Sequence, residues 1–597
     1  MKRYLKIAFA VAAGALIYWT LDFAVNWIPD PTPVDIPANS VPPEIIPDPS
    51  PGPEPTLAVS TTQGDPILEP DTQVINIYPG DAQDYSHLEW HQDAHDPART
   101  GYTQEEPSQP WHLLWTWNGP DPQGTAGDHF YDAPPEARSV TGGCCVFVPA
   151  GEQGLFALQK QDGHPIWNFA PTSFNSAPAF DPENNYLYAG GGNGVLYKLD
   201  PRSGAIAGEY QANTPLNKAL LLAGGYVYAI ASNGDLHKVS METMTPSWVY
   251  SASSKASTPA AYSARYGLVI YGTADLQVHA VDIYEGFARW KHKPGSHEPS
   301  GSTHTFEGYW PVVADSTGIV FVRINLGMSA LWSGPLENNI YPESNRATRQ
   351  HLEKNPQLQN LFALSLDDGL PAFIPAVGFG GVERTENSSK ELAGGPIPVV
   401  RRLEDGSEVA YSFFRNGQSK PPDGRWDSHI GEMVLDDQSI QGMQAGDLRF
   451  IRFENSYTHI TDEQSPLTMA GDTIFHAHWG ASESVRIQDR SIELGRAYSD
   501  PIPSQAHPVV IRRMQACPSY DPLSHWTSCD LILYSDGRTW KGPGWWVYWD
   551  MLDPPTPPGR AYSDVHLPRY TYVSDGLVIV SGNGGELMVF RHSSPGS

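Results

Sequence analysis

One residue pattern recurs through this chain at a nearly constant interval, and it constrains the fold more than any other feature. Four segments share it: GLFALQKQDGHPIW from Gly154, GVLYKLDPRSGAIAG from Gly194, GDLHKVSMETMTPSW from Gly234 and LQVHAVDIYEGFARW from Leu276. Aligned on Phe156, Tyr197, His237 and His279, the intervals are 41, 40 and 42 residues. Eleven places after the aligned residue stand Trp167, Trp248 and Trp290, with Gly208 in the remaining unit. NLFALSLDDGLPAF repeats the pattern with Phe362 and Phe373. Two short β runs precede each motif, as around Ala177–Phe180 and Tyr186–Ala189, and turn residues separate all of them. A unit of about 40–45 residues built from four short antiparallel strands is a propeller blade. The Trp position begins the outermost strand, where a large side chain fills the gap between twisted neighbours.

The pattern contains a decoy. Phe321 and Trp332 also stand eleven apart, but GIVFVRI follows PVVADST as NNYLYAG follows PAFDPE. It is therefore a second strand, and the third is LFALSL, after an insertion from about Asn325 to Gln359. Later units are degenerate: PIPVVRRLEDGSEVAYSFFRNG with GEMVLDD, PLTMAGDTIFHAHWG with SVRIQD, PVVIRR with DLILYSDG and WWVYWD, and finally RYTYVSDGLVIVSGNGGELMVF. GRAYSD occurs twice, at Gly495 and Gly559. A literal count gives nine units. Merging the two weakest gives eight four-stranded blades, the preferred number within a range of seven to nine. The last unit lacks an outer strand, and PWHLLWTWNG at Pro110–Gly119 looks like an orphan one. It should complete that blade, placing Trp115 near Phe590 and leaving no free sheet edge.

The ends of the chain speak to compartment. Lys2, Arg3 and Lys6 precede an apolar run from Ile7 to about Ile28, which reads as a signal anchor or signal peptide (1–28), the uncleaved anchor preferred. Residues 29–85 form a proline-rich acidic linker, semi-rigid and extended. The propeller then spans 86–597, outside the cytoplasm, in the periplasm or at the cell surface. With 38 Lys+Arg against 67 Asp+Glu the formal charge is −29, which disfavours nucleic acid as a partner. There are four cysteines. Cys517 and Cys529 bracket a loop between β-like runs and read as a disulfide-closed excursion in an extracytoplasmic chain.

LEWHQDAHDPARTGYTQ, then LLWTWNG and the G-x-L-Y-x-L-D…G…W units, together resemble the PQQ-like β-propeller repeat superfamily, over about Trp90 to His592. The resemblance implies an all-β propeller. The superfamily includes eight-bladed pyrroloquinoline-quinone-dependent alcohol dehydrogenases and cofactor-free binding proteins. Its enzymes carry an adjacent-cysteine disulfide against the quinone, which Cys144 and Cys145 match as neighbours in sequence. Here, however, the pair reads TGGCCVFVPAGEQGLFAL, inside the strand directly before the repeat motif. The Gly-Asp-Asn-Leu segment of the enzymes is missing, and no Cys-x-x-Cys-His occurs. The other reading of the pair is two strand residues facing opposite sides, one buried as a small hydrophobe.

Remaining motifs divide between site and scaffold. Trp540, Trp545, Trp546 and Trp549 in WKGPGWWVYWD suit either an aromatic binding platform or inter-blade packing. His476 and His478 share a strand face without a third metal ligand at readable spacing. His91 and His95 sit in the opening motif and are expected to stitch down the chain start. GGGNG at Gly190–Gly194 is a hairpin turn. The insertions at Asn325–Gln359, Asn416–Arg425 and Gly378–Gly395 should emerge on one face, where binding usually resides. The function expected is a membrane-tethered binding or scaffold module for protein or polysaccharide, with no cofactor, metal or catalytic residue. The alternative is a divergent PQQ-dependent alcohol or sugar dehydrogenase using PQQ and calcium.

Overall fold

The structure, a computed structural model, describes residues 88–117, 120, 133–134, 136–299, 304–327, 344–377, 382–383, 392–393, 395–414, 429–436, 442–449, 451–453, 466–478, 481–489, 509–512, 526–527, 533–535, 538–540, 568–582, 585 and 587–593. All belong to one compact unit, 75–597. The expected anchor and linker therefore lie outside the described residues, as do Cys517, Cys529, Trp545, Trp546 and Trp549. Trp540 ends a short strand, Arg538–Trp540, of which the backbone alone is described. Among the described residues, no helix is long and apolar enough to cross a membrane.

Eight antiparallel sheets form an all-β propeller of four-stranded blades. Blade 1 runs Val140–Gly142, Cys145–Pro149, Leu155–Gln159, Pro165–Phe169, and blades 2, 3 and 4 repeat this order from Ala179, Leu221 and Ala261. Every turn between first and second strands must reverse a short hairpin, which suits the Gly, Asn and Asp found there. The inner strands of blades 1 to 5 are buried throughout, whereas outer strands alternate, as in Pro246–Ser251. In blade 5, Ile319–Arg323 pairs with Leu361–Ser365 across the insertion, so GIVFVRI is the second strand.

The ninth unit does not exist. Val509–Arg512 pairs with Ala481–Asp489 as the fourth strand of blade 7. Leu533–Ser535 and Arg538–Trp540 then extend the same sheet outward. The weak repeat is an overgrown edge, and the ring has eight blades. Closure follows the expected route: Ser108–Trp117 pairs with Leu587–Ser593, with Leu113 opposite Phe590 and Trp115 opposite Val589. Trp526–Thr527 caps the outer edge of that strand, leaving less unpaired backbone there.

The tryptophans explain the interval. The indole N–H of Trp115, Trp167, Trp248 and Trp290 donates to the carbonyl of Lys160, Pro201, Ile283 and Leu366 in the following blade, at 2.9, 3.0, 3.1 and 2.9 Å. Three residues beyond each acceptor comes Gly163, Gly204, Gly286 or Gly369, against which the indole ring lies flush. A Cβ on Gly163 would fall 2.4 Å from Trp115, and one on Gly369 the same distance from Trp290. Two residues beyond the indole a second contact recurs, as in Trp117–Phe156, Phe169–Tyr197, Tyr210–His237 and Tyr250–His279.

Candidate functional site

Antiparallel strands send successive turns to alternate faces. One face collects the turns between strands one and two and between three and four. The other collects the remaining turns and the links between blades. The two faces are built very differently.

On the first face, the opening motif crosses the channel end and is tied to the inner strand of all eight blades. The carbonyls of Trp90, His91, Pro97, Ala98, Thr100 and Gly101 accept from the N–H of Thr141, Phe180, Tyr262, Val313, Val400 and Met469. Gln92 Oε1 accepts from Leu222 N–H at 3.1 Å, and Trp90 N–H donates to Ser574 Oγ at 2.9 Å. Inner strands have no neighbour on the channel side, so these N–H groups would otherwise be buried donors without partners.

Arg99 pins this plug. It is 0% exposed, and its guanidinium donates to the carbonyls of Ala260, Asp93, Ala219 and Leu220 and to Asp93 Oδ2. Arg138 adds a 2.8 Å bond to Asp93 and lies over the rings of Trp310 and Tyr570. Burial lowers the Arg99 pKa from its usual value, and the Asp93 carboxylate opposes that. The same burial pushes the Tyr570 hydroxyl far up. A plug held by a saturated fork of donors is a structural lock. The expectation that the opening motif stitches the chain start holds, with Arg99 and Asp93 carrying most of it; the His91 carbonyl accepts from Phe180, and its ring Nδ1 lies 3.1 Å from Glu89 O. Nothing in the spacing of DPART announces this, because the acceptors are backbone carbonyls.

Between the plug and the first hairpin of blade 6 lies a cleft of about 830 Å³, bordered by His95, Asp96, Tyr102, Arg401, Glu404 and Asp405. Arg401 pairs with Asp472 at 2.6 Å. The Asp96 carboxylate is turned inward to Thr100 N–H and Oγ1. The cleft is internally satisfied at these two charges.

Cys144 and Cys145 are bonded to each other. They do not both lie inside the strand, as their sequence context suggested. Cys144 occupies the turn, and the strand starts at Cys145, because Gly143 at φ +55° reverses the chain there. A quinone stacked on the disulfide needs an open face. Cys145 is instead 0% exposed in a cluster with Val140, Phe147, Phe180 and Leu187. A Cβ on Gly142 would lie 2.2 Å from the Phe180 ring, so Phe180 already covers that turn. These residues do not fit the quinone of the enzymes. Among the described residues, no three His, Cys, Asp or Glu side chains stand together as metal ligands.

The second face carries the insertions. Leu326–Gly327, from the insertion within blade 5, pairs with Leu392–Ala393, which also pairs with Val382–Glu383 from the link to blade 6. The two insertions are thus one small sheet on one face, as their connectivity implies. A helix, Asn345–Lys354, starts under a Ser344 cap. Its Asn345 amide brackets Leu448, donating to the carbonyl at 2.9 Å and accepting from the N–H at 3.1 Å. Arg349 pairs with Asp447. The sheet is rooted by Tyr309 OH, which donates to Gly395 O at 2.8 Å, and by Arg323, which donates to Pro396 O. The Asn416–Arg425 loop lies outside the described residues. Thr473–His478 is a strand, but the His476 and His478 side chains are outside them too.

Residues 151–323 match the PQQ-repeat family model described as outer membrane protein assembly factor BamB. No curated protein matches the chain. Among solved structures the chain is similar to BamB from Moraxella catarrhalis, at 12% identity and TM-score 0.40, over 78% of this chain and 99% of that one. It is also similar to the computationally designed Ika8 protein, at 10% and 0.39, over 78% and 99%. A europium-containing methanol dehydrogenase matches at 12% and 0.40, over 68% and 86%.

Proposed function

We propose that this PQQ-like repeat propeller is a scaffold that binds a protein partner through the face carrying its insertions. It works outside the cytoplasm, tethered to a membrane through residues 1–28, in the periplasm or at the cell surface. The observation that carries the reading is the joining of two insertions, 326–327 with 392–393, into one sheet on one face. Elaborating loops on one side of a rigid ring is how such folds acquire partners. The opposite channel end is closed by the Arg99 plug. The repeat matched at 151–323, whose description is that of an assembly factor, supports a scaffold over a catalyst. A polysaccharide is the second ligand class to test, and the tryptophans from Trp540 to Trp549 are the residues that would stack on it.

The test places a photo-crosslinking amino acid at positions within 328–343 and 384–391 and, as control, at Ile206, half-exposed on an outer strand. The expected result is one recurrent adduct from the insertions and none from Ile206. Equal labelling from both, or calcium-dependent dye-linked alcohol oxidation after adding PQQ, would overturn the reading. Fractionation of the full chain against one lacking residues 1–28 tests the tether separately.

A further inference from the structure

We propose that the Cys144–Cys145 bond is a thiol-exchange site, opened by an external dithiol, whose state sets how firmly the start of the plug is held. This stands apart from the scaffold reading and uses none of its residues. The two sulfurs differ in access: Cys144 is half-buried in the turn, whereas Cys145 is 0% exposed. An incoming thiolate therefore reaches Cys144 Sγ, and Cys145 Sγ is the leaving group.

The leaving sulfur has a place to go. Its surroundings are apolar, which disfavours a thiolate, so it takes up a proton. Cys145 Sγ lies 3.8 Å from the Pro201 carbonyl oxygen, within reach of a weak S–H donor. That oxygen accepts the Trp167 indole at 3.0 Å and keeps a second lone pair. The released thiol of Cys145 thus keeps a hydrogen-bond acceptor in place.

The turn is also wired to the plug. The Cys144 carbonyl accepts Lys160 N–H at 2.9 Å. Lys160 Nζ stands 2.5 Å from Glu89 Oε1 and 3.4 Å from Asp575 Oδ2. Beneath Gly142, Phe180 donates its N–H to the His91 carbonyl at 2.7 Å. The turn touches the plug's first residues by two routes, and neither reaches Arg99.

In the exchange, one thiolate of the dithiol attacks Cys144 Sγ, the S–S bond breaks, and Cys145 leaves as a thiolate and is protonated. The reagent's second thiol attacks the mixed disulfide, closing the reagent into its own disulfide and releasing Cys144. Two electrons and two protons pass from the dithiol to the pair.

The full chain is treated with dithiothreitol, trapped with iodoacetamide without denaturant, and read by peptide fragmentation, with amide exchange followed in parallel. The expected result is alkylation of Cys144 in folded protein and of Cys145 only in denaturant. Exchange at 88–92 should rise about fivefold or more while 98–101 stays protected. A C144S/C145S variant should exchange fast at 88–92 with or without dithiothreitol. A bond that resists reduction until global unfolding, or a reduced protein with unchanged exchange at 88–92, would overturn the proposal.

Discussion

Met244 fills the space that a tryptophan fills at neighbouring blade interfaces, and Gly208 stands where that tryptophan would be. Among the four segments aligned first, Gly208 marks the one without the indole, in the outer strand Ile206–Gln211. Met244 occupies the turn position held elsewhere by Gly163, Gly204, Gly286 and Gly369, and shares their left-handed backbone at φ +54°. A Cβ on Gly208 would meet Met244 Cγ at 2.8 Å. The carbonyl three residues earlier, Met241 O, accepts Lys198 Nζ at 2.7 Å and Tyr188 OH at 3.1 Å in place of an indole. Large and small have changed sides of the interface, and both the volume and the hydrogen bond are kept.

That exchange predicts coupling. Gly208→Trp alone should destabilise by about 2–3 kcal/mol through overpacking against Met244. Met244→Gly alone should leave a cavity costing about 2–4 kcal/mol. The double variant should recover about 1–3 kcal/mol of the sum, measured by chemical denaturation of all four proteins. Simple additivity would show that the two sites are independent.

Turn glycines should sort by what lies above them. Gly163→Ala meets a left-handed φ of +73° and the Trp115 ring, and should cost about 3 kcal/mol or more. Gly224→Ala shares the strained backbone, at φ +57°, but nothing lies within 4 Å. It should cost about 1 kcal/mol. Thermal midpoints of the two variants give the comparison directly.

Arg99→Met should strand the Asp93 carboxylate and four carbonyls, leaving Arg138 as the carboxylate's remaining cation. A loss of about 3–5 kcal/mol is expected. Arg99→Lys keeps the charge but not the fork, and should fall between the two. Amide exchange at 90–103 should rise in both variants before it rises in blade 3.

Acid should loosen specific blade interfaces. His279 Nδ1 lies 2.9 Å from Tyr250 OH and its Nε2 3.2 Å from Thr273 Oγ1. Burial first, and then Lys291, push its pKa down to about 4 from 6.5; burial likewise lowers His237. With the folded pKa depressed, the unfolded chain binds the proton at higher pH. The contribution of both is therefore fully present above about pH 6.5 and is lost as pH falls below it; for His279 the loss runs towards pH 4 and amounts to about 2–3 kcal/mol. His279→Phe, the residue type of Phe156 and Phe362 at this place, should flatten the midpoint-against-pH curve over that window. An unchanged slope would show that folding does not shift the His279 pKa.

Blades 1 to 5 were legible in the sequence because the docking pair, an indole and a glycine, imposes both residue type and spacing. Three strands of blade 7 were legible too, but its outer edge was not, because the extra strands add hydrogen bonds there without any inter-blade partner that would fix a repeat. Ring closure was readable from the unmatched PWHLLWTWNG. The plug was only half readable: WHQDAHDPARTGYTQ marked a chain start, yet its ties to eight inner strands are mainly backbone carbonyls, which leave no side-chain signature. The disulfide turn was misplaced by one residue, since only the left-handed Gly143 separates it from the strand.

The route by which the ring closes has a consequence for how the chain comes into being. Residues 108–117 leave the ribosome early, yet their partners at 587–593 are made last. No partial product can close its last sheet, so completion of the ring is postponed until synthesis is finished. During that interval the chain stays open, and loss of the final few dozen residues should be read out as failure of the earliest ones to settle.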